Sequence, residues 1–302
     1  MIAVVGSSNM DVVLTVERFT LPGETQKAQK LEFFPGGKGS NQAVSIAKLS
    51  KKNSNVYFLT CIGNDSYGRI LKGQYDKLNI EGYVVVDDNN GLAFIEVTKK
   101  GENRIVIYPG ANRNLTKEII KKHEEKLLEA DYILLQNEIP FESTLYSARI
   151  FSENGKIVIF DPAPVSGIEK EIFQFVDFLT PNEEEIKLLT EKFFGEFVSY
   201  EDSYFKLKSL GVKKLIVKLG SKGVIYFEGD KRIEIPSFKV KAVDTTAAGD
   251  VFNGAFVVAL HENLDIRKSL EFASAAAALS VTKKGAQNSI PSRKEVENFL
   301  NI

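Results

Sequence analysis

The sequence predicts an α/β protein, with a mainly parallel central sheet covered by helices on both faces and a small antiparallel β lid. Short apolar runs bounded by polar, glycine or proline residues alternate with longer segments of helical spacing. Two pairs of β-rich segments interrupt this alternation and predict the lid. The composition, 43% hydrophobic and 26% charged over 302 residues, is that of a folded globular chain.

Six buried strands are predicted from apolar runs that end in turn residues: IAVVG, VYFLTCIG, YILLQNE, KIVIFDPAP, FLTPN and KLIVKLG. Helical spacing occupies most of the remaining chain, at 40–50, 66–78, 116–128, 141–151, 183–190, 204–210, 250–260, 266–282 and after Pro291. Strands that alternate with helices favour a parallel sheet, in which ligands bind beyond the carboxyl ends of the strands.

Two hairpin-like units do not fit a parallel sheet. The first has DVVLTVERF and KAQKLEFF around LPGE, and the second has LAFIEVT and NRIVIY around KKGE. We interpret them as a lid formed by about 9–35 and 90–109 on a single domain that spans 1–302; an edge extension of the main sheet is the alternative. A lid with an exposed apolar face also predicts a homodimer formed through it.

Composition excludes several classes of function. Lys and Arg total 39 against 40 for Asp and Glu, and no basic stripe indicates a nucleic-acid partner. One cysteine and two histidines exclude an intramolecular disulfide and an ordinary zinc cluster. No apolar run approaches the roughly 20 residues that span a bilayer. Because the strand IAVVG follows Met1 with no leader, we expect a cytoplasmic protein without a membrane partner.

The stretch DTTAAGDVFNGAF holds two acids, Asp244 and Asp250, around a run of small residues. One interpretation is a helix start, where an acidic residue is favoured by capping and by the helix dipole. The other is that the small residues leave backbone N–H groups open to an anion at the helix N-terminus. Asp250 would then take a proton from the group that attacks the anion.

Three further segments carry polar residues suited to a polyol. PGGKGSNQAV supplies Lys38 and Asn41 as donors beside a close backbone approach, although its glycines also suit a tight turn. GSSNMD follows the first strand, and Asn9 and Asp11 alternate onto one side of an extended segment, although a turn favours both as well. Glu138, at the end of another strand, adds an acceptor.

Two segments suit a nucleotide and its metal ion. TPNEEE places Asn182 and Glu185 in the first turn of a helix, where they could organise Mg²⁺ with phosphate or could act only as helix caps. VKLGSKGV supplies a glycine-bounded turn after a strand, which suits close backbone contact with a nucleotide.

These segments together resemble the ribokinase branch of the PfkB carbohydrate kinase family. GSSNMD, PGGKGSNQAV, QNEIP, DPAPV, TPNEEE, VKLGSKGV, VDTTAAGDVFNGAF and VTKKGAQNSIP occur in the order of the family and cover nearly the whole chain. The resemblance implies the ribokinase-like three-layer sandwich. It also implies ATP-dependent phosphorylation of D-ribose at the 5-hydroxyl, with ATP as co-substrate and Mg²⁺ and K⁺ as cofactors.

The resemblance assigns Asp250 as the catalytic base. It implies an anion hole for the transferred phosphoryl group at Ala247, Ala248 and Gly249. The positions that match sugar contacts in the family are Asn9, Asp11, Gly37, Lys38, Asn41, Glu138 and Asp250.

The resemblance also assigns the nucleotide and ion sites. The positions that match ATP contacts are Asn182, Lys218, Leu219, Gly220, Ser221, Lys222, Gly223, Gly249 and Ser274. Asn182 and Glu185 match the motif that organises Mg²⁺, with contacts through water. The K⁺ site beside the anion hole matches Asp244, Thr246, Ser280, Lys283, Gly285 and Ser289, mostly through backbone carbonyls.

Three positions depart from the pattern of the family. Asp161 stands where many ribokinases have Asn, Lys218 where a small hydroxyl residue is common, and Ser274 where His or Asn often lines the adenine site. The extra negative charge of Asp161 near the phosphates bears on the preference for metal or nucleotide. None of the three is the predicted base or one of the predicted sugar contacts.

Two alternatives to a ribokinase remain open. A related kinase would act on deoxyribose, fructose or a nucleoside. A catalytically inactive sugar- or nucleotide-sensing module would show damage to the chemistry, whereas Asp250, the AAGD loop, Asn182 and Glu185 are all present. A nicotinamide-dependent oxidoreductase is disfavoured because no G-x-G-x-x-G follows the first strand.

Overall fold

The computed structural model describes residues 1–51 and 56–302. Within these residues the larger of two sheets has nine strands in the order β13-β12-β11-β10-β9-β8-β1-β4-β5. Their bounds are β1 Ile2–Val5, β4 Val56–Gly63, β5 Ile80–Val86, β8 Tyr132–Leu135, β9 Ile157–Phe160, β10 Phe178–Leu179, β11 Lys214–Lys218, β12 Val224–Glu228 and β13 Lys231–Ile235.

The large sheet is parallel from β5 to β11. β1 at its centre pairs in parallel with β4 on one side and β8 on the other. β12 pairs antiparallel with β11, and β13 pairs antiparallel with β12. The prediction of a mainly parallel central sheet is therefore confirmed. The sequence interpretation did not include β5 at one end of the sheet or β12 and β13 at the other.

Helices cover both faces of this sheet, with bounds α1 Lys38–Leu49, α2 Ser66–Lys77, α3 Lys117–Lys122, α4 Glu124–Leu127, α5 Phe141–Glu153, α6 Glu183–Phe194, α7 Tyr200–Lys208, α8 Ala248–His261, α9 Ile266–Ser280, α10 Ala286–Ser289 and α11 Arg293–Leu300. Successive side chains of β1 point to opposite faces. Ile2 and Val4 pack with α1, α8 and α9, whereas Ala3 and Val5 pack with α5, α6 and α7. This arrangement is the predicted three-layer sandwich.

The second sheet contains four strands in the order β3-β2-β6-β7, with bounds β2 Asn9–Val16, β3 Lys30–Gly36, β6 Gly91–Thr98 and β7 Asn103–Tyr108. Each predicted hairpin is antiparallel, but the two hairpins join through a parallel pairing of β2 with β6. The strands thus form a separate small sheet instead of an extension of the large one.

One predicted helix is divided. The segment 116–128 forms α3 and α4, which meet at His123. The ring Nδ1 of His123 lies 2.6 Å from the hydroxyl of Tyr57 on β4, a contact that ties the junction to the sheet.

No helix in the described part of the chain is long and apolar enough to cross a membrane.

The fold brings the ends of several strands together. β1, β8, β9, β10 and β11 are parallel neighbours, so their carboxyl ends lie along one edge of the sheet. The chain turns from β1 to β4 on one side and later continues with β8 on the other. Such a reversal of direction is where α/β sheets place their ligand sites.

Candidate active site

Close backbone approach defines one wall of the site, where α1 begins. Gly37 precedes this helix with φ of 89°, and a Cβ at this position would lie 2.7 Å from the backbone N of Asn9. A Cβ on Gly39 would lie 2.7 Å from the backbone N of Ser7. Side chains at either position would separate α1 from the segment after β1. The predicted close approach of PGGKGS therefore has a steric basis.

Glu138 follows β8 in the chain, and its side chain lies against the N-terminus of α1. Its carboxylate accepts a hydrogen bond from the backbone N–H of Lys38 at 3.1 Å and another from the hydroxyl of Ser7. An anionic side chain is stabilised at a helix N-terminus by the unpaired N–H groups and the helix dipole. Glu138 thus connects the ends of β1 and β8 to α1.

Asn9 and Asp11 lie on β2 of the small sheet, and both are buried. The amide oxygen of Asn9 accepts a hydrogen bond from Asn112 at 2.7 Å. Burial, followed by the charges of Glu138 and Asp250, raises the pKa of Asp11 to about 7. The pocket therefore holds a carboxylate whose burial is not offset by a cation from the described residues.

Asp250 lies in the first turn of α8 and is buried. Asn41 donates to one of its oxygens at 3.0 Å and Gln42 to the other at 3.2 Å. Burial raises the pKa of Asp250 to about 6; Lys38 acts to lower this pKa, and Asp161 acts to raise it. A carboxylate with this pKa is ionised at neutral pH and more basic than an exposed aspartate.

Ala247 precedes α8 in the left-handed conformation, with φ of 62°. This backbone conformation is unfavourable for residues other than glycine. The N–H groups of Ala248 and Val251 bond to the carbonyls of Thr245 and Ala247. Among the described residues, those of Gly249 and Asp250 have no such acceptor. Of the predicted anion hole, the N–H of Ala248 is therefore engaged, whereas that of Gly249 is a free donor beside the Asp250 carboxylate, as is the N–H of Asp250 itself.

A cavity of about 680 Å³ opens on this side of Asp250. It is lined by most of the predicted nucleotide and anion-hole residues: Asn182, Lys218, Gly220, Ser221, Gly223, Ala247, Ala248, Gly249 and Ser274. Lys38, Glu185 and Asp250, predicted for the sugar, Mg²⁺ and the proton transfer, line it as well. Two predicted nucleotide residues lie outside its lining. Leu219 packs against the core, and the Lys222 ammonium lies 3.2 Å from Glu183.

Lys38 lines the cavity among several carboxylates. Burial alone would lower the pKa of its ammonium, but Asp250, Glu138, Asp161 and Glu185 together raise that pKa. Lys38 is therefore a fixed positive charge between the polar pocket and the cavity.

Asn182 and Glu185 form a reciprocal capping box at the start of α6. The Asn182 side chain accepts from the backbone N–H of Glu185 at 2.8 Å, and the Glu185 carboxylate accepts from that of Asn182 at 2.7 Å. Burial, followed by the charge of Asp161, raises the pKa of Glu185. Helix capping accounts for both positions, and both also line the cavity, so their predicted role toward Mg²⁺ stays a prediction.

The six residues predicted for K⁺ lie on two adjacent loops and the ends of α9 and α10. Asp244 joins the loops, because its carboxylate accepts from the N–H and hydroxyl of Thr246 and from the N–H of Gly285 at 2.9 Å. The hydroxyls of Ser280 and Ser289 bond within their own helices. Lys283 pairs with Glu295. The side chains are thus engaged, and any cation here would rely mainly on backbone carbonyls.

Two of the departures from the family pattern are in direct contact. The ammonium of Lys218 lies 3.2 Å from the carboxylate of Asp161, and both side chains are almost fully buried. The other Asp161 oxygen accepts from Gln42 at 3.2 Å and from Asn253 at 2.9 Å. The third departure, Ser274, lines the cavity from α9.

The sequence analysis did not identify three side chains that position others: Gln42, Gln136 and Asn112. Gln42 donates to both Asp161 and Asp250, and is itself held by Gln136 at 2.7 Å. Asn112 bonds Asn9 through its amide nitrogen and the N–H of Ser8 through its oxygen. Gln42 follows Asn41 within GSNQAV, so the motif contained a signal for it, whereas no local pattern distinguishes Asn112.

Comparisons with known proteins agree with this architecture. The sequence model described as "pfkB family carbohydrate kinase" matches residues 1–293. A ribokinase from Haemophilus influenzae is 41% identical over 306 residues, which cover 99% of this chain and 98% of that protein.

Two solved structures are similar over their whole length. The crystal structure of ribokinase from Thermotoga maritima has a TM-score of 0.95 and 57% identity, covering 100% of this chain and 99% of the other. Arabidopsis thaliana ribokinase complexed with ribose and ATP has a TM-score of 0.84 and 34% identity, covering 100% and 98%. Since the match spans nearly the whole sequence, the chain belongs to the pfkB family of carbohydrate kinases.

Proposed function

We propose that this protein transfers the γ-phosphoryl group of ATP to the 5-hydroxyl of D-ribose. The observation that carries the proposal is the position of Asp250. Its buried carboxylate faces the polar pocket of Asn41, Asp11 and Glu138 on one side and lines the large cavity on the other. A proton acceptor at the junction of two such spaces suits transfer from a nucleotide to a sugar.

The polar pocket suits vicinal hydroxyls. Asp11 and Glu138 accept hydrogen bonds, whereas an amide such as that of Asn41 both donates and accepts. The Asn41 oxygen is buried and has no partner among the described residues. Leaving such an atom unpaired costs free energy. A sugar hydroxyl that donates to it would remove this cost.

Asp250 would act as the general base. As the sugar oxygen forms its bond to phosphorus, the bond from phosphorus to the ADP oxygen breaks, and the hydroxyl proton passes to the Asp250 carboxylate. The free N–H groups of Gly249 and Asp250 point their dipoles toward developing negative charge at the phosphoryl group. Lys38 adds a fixed positive charge at the same junction.

The residues present fit the two expected ions in different ways. Asn182 and Glu185 line the cavity and would hold Mg²⁺ through water, since parts of both side chains already serve the helix cap. Bound Mg²⁺ neutralises charge on the nucleotide phosphates. Asp244 ties together the loops that carry the other predicted K⁺ ligands, so a cation there would stiffen the segment that leads into α8.

The small sheet supports the remaining expectations of a lid and a homodimer. Its strands carry apolar side chains that are about half exposed: Leu31, Phe33, Phe94, Ile105, Val106 and Ile107. The register places Leu31, Phe33, Phe94 and Val106 on one face of this sheet and Ile105 and Ile107 on the other. Apolar exposure on the first face favours a protein partner, and we propose a second copy of this chain. Light scattering coupled to gel filtration tests this; a monomer that keeps full activity would contradict it.

A coupled assay of ADP release tests the proposed function. It uses ATP, Mg²⁺ and D-ribose, with deoxyribose, fructose and adenosine as competing acceptors, in K⁺ or in a large inert cation. We expect turnover that prefers ribose and rises with K⁺. Asp250→Asn should lower kcat by about 1,000-fold or more with a modest change in ribose affinity. Asp87→Asn, at an exposed acidic residue, is the matched control.

The outcomes separate the alternatives. Activity on another acceptor would keep the mechanism and assign a different substrate. Binding of ribose and ATP without turnover in any condition would favour the sensing module instead.

A further inference from the structure

The buried pair of Asp161 and Lys218 lies between the catalytic base and the nucleotide cavity. Lys218 ends β11 and Asp161 follows β9, with β10 between these strands. Their side chains are 12% and 4% exposed, and their charged atoms are 3.2 Å apart. A buried ion pair recovers its desolvation cost only with good geometry and further hydrogen bonds. Asp161 has those bonds, from Gln42 and Asn253.

Lys218 differs from its partner in this respect. An ammonium group has three N–H donors, and Asp161 is the single acceptor that Lys218 has among the described residues. Two donors therefore stay available on a nearly buried side chain. Lys218 lines the cavity, so these donors have access to a ligand there.

The ammonium also lies beside the start of α8. A Cβ on Gly249 would be 3.3 Å from the Lys218 Nζ. The free N–H groups of Gly249 and Asp250 are on this same helical turn. A cation and two backbone donors thus converge next to the carboxylate that is proposed to take the proton.

We propose that Lys218 hydrogen-bonds the terminal phosphoryl group of bound ATP and keeps this contact during transfer, and that Asp161 is the positioning residue that holds Lys218 there. This rests on the proposed function. Lys218 takes no part in the proton transfer: the new bond joins the sugar oxygen to phosphorus, the leaving oxygen goes with ADP, and the proton goes to Asp250. Asp161 also contacts Gln42, which bonds Asp250, so one carboxylate positions groups on both sides of the reacting phosphorus.

The competing explanation is that Lys218 merely neutralises Asp161. Two variants separate these ideas: Lys218→Met, and the double variant Asp161→Asn with Lys218→Met. The single change leaves Asp161 buried without its cation and should lower the melting temperature. The double change removes both charges at similar volume and should restore most of it. Lys213→Met is the matched control, because Lys213 is an exposed lysine paired with Asp177 at 2.8 Å.

The readout is affinity for the non-hydrolysable analogue AMP-PNP relative to ADP, measured by calorimetry with Mg²⁺. Contact with the terminal phosphoryl group predicts that both variants bind AMP-PNP at least about 10-fold more weakly while ADP affinity changes little. We also expect kcat to stay about 100-fold down in the double variant despite its recovered stability. The control should match the unmodified protein.

An unchanged ratio of AMP-PNP to ADP affinity would overturn the proposal, as would a double variant whose kcat returns to the unmodified value. If the unmodified protein binds both nucleotides but phosphorylates no acceptor, the proposed function fails. The affinity ratio would still decide whether Lys218 contacts the terminal phosphoryl group.

Discussion

Replacing Asp11 by asparagine tests whether the sugar pocket destabilises the protein when no sugar is bound. Asp11 is 8% exposed, and its raised pKa arises from burial and from two neighbouring carboxylates. A carboxyl whose pKa rises from 3.8 to about 7 disfavours folding by roughly 4 kcal/mol at neutral pH. The pocket therefore contains a group whose charge opposes folding.

The pH dependence fixes the sign of the effect. The folded protein binds this proton more tightly than the unfolded chain, so the contribution of Asp11 to the free energy of unfolding falls as pH rises from about 4 to about 7. Asparagine has no charge to lose. Because its amide needs partners of its own, we expect Asp11→Asn to add about 2 kcal/mol at neutral pH and little near pH 4.

Urea denaturation of the ligand-free protein between pH 4 and pH 8 measures this difference. Asp87→Asn makes the same chemical change at an exposed residue, and it should stay within about 0.5 kcal/mol at every pH. Calorimetry should show ribose binding to Asp11→Asn about 10-fold weaker or worse. A stability difference that is independent of pH, or a variant less stable than the unmodified protein at pH 7, would refute the reasoning.

Three other predictions concern the catalytic turn and the start of α1. Because Asp250 must be ionised to accept a proton, kcat/KM for ribose should fall as pH drops through about 6 in a pH-rate profile, and a flat profile to pH 5 would contradict its role as base. Gly37→Ala should lower the free energy of unfolding, measured by urea denaturation, by roughly 3 kcal/mol, because φ is positive and the Cβ would meet the backbone of Asn9. It should also raise the KM for ribose. Gly23→Ala is the control: φ is positive there too but the space is open, so the free energy of unfolding should fall by only about 1 kcal/mol. Ala247→Gly should raise the free energy of unfolding by about 1 kcal/mol, since φ is 62° there, and a loss of stability would show that the conformation carries no strain.

Much of the fold could be predicted because the strands of a parallel sheet are continuous apolar runs. Two of the missed strands, β5 and β13, lack that simplicity, whereas β12 is a buried apolar run that the interpretation left out. β5 contains Gly82, at φ of 105°, in its interior, and glycine weakens a strand prediction. β12 and β13 form an antiparallel edge hairpin around Gly229, and β13 alternates exposed and buried residues. Its pattern therefore differs from that of the buried strands.

The site was predictable where function needs a local arrangement of residues, as in the glycines before α1 and the small residues before α8. It was not predictable where partners meet only after folding. Asn112 is 103 positions from Asn9, and its helical turn shows no special pattern. Asp161 and Lys218 each look anomalous alone. Only their contact across 57 positions explains why the two charges occur together.

The strand β2 has two roles, one in the small sheet and one in the predicted sugar site. It is the strand through which the two hairpins of the small sheet are joined, and it also carries Asn9 and Asp11. Any hinge rotation of that sheet relative to the large one moves these two side chains with it. A sugar held by Asp11 on the small sheet and by Asn41 on α1 would then bridge the two parts of the protein. An acceptor that lacks the hydroxyl facing Asp11 would not form this bridge. The protein would discriminate against such an acceptor because the small sheet would close less readily over it, as well as because it binds more weakly.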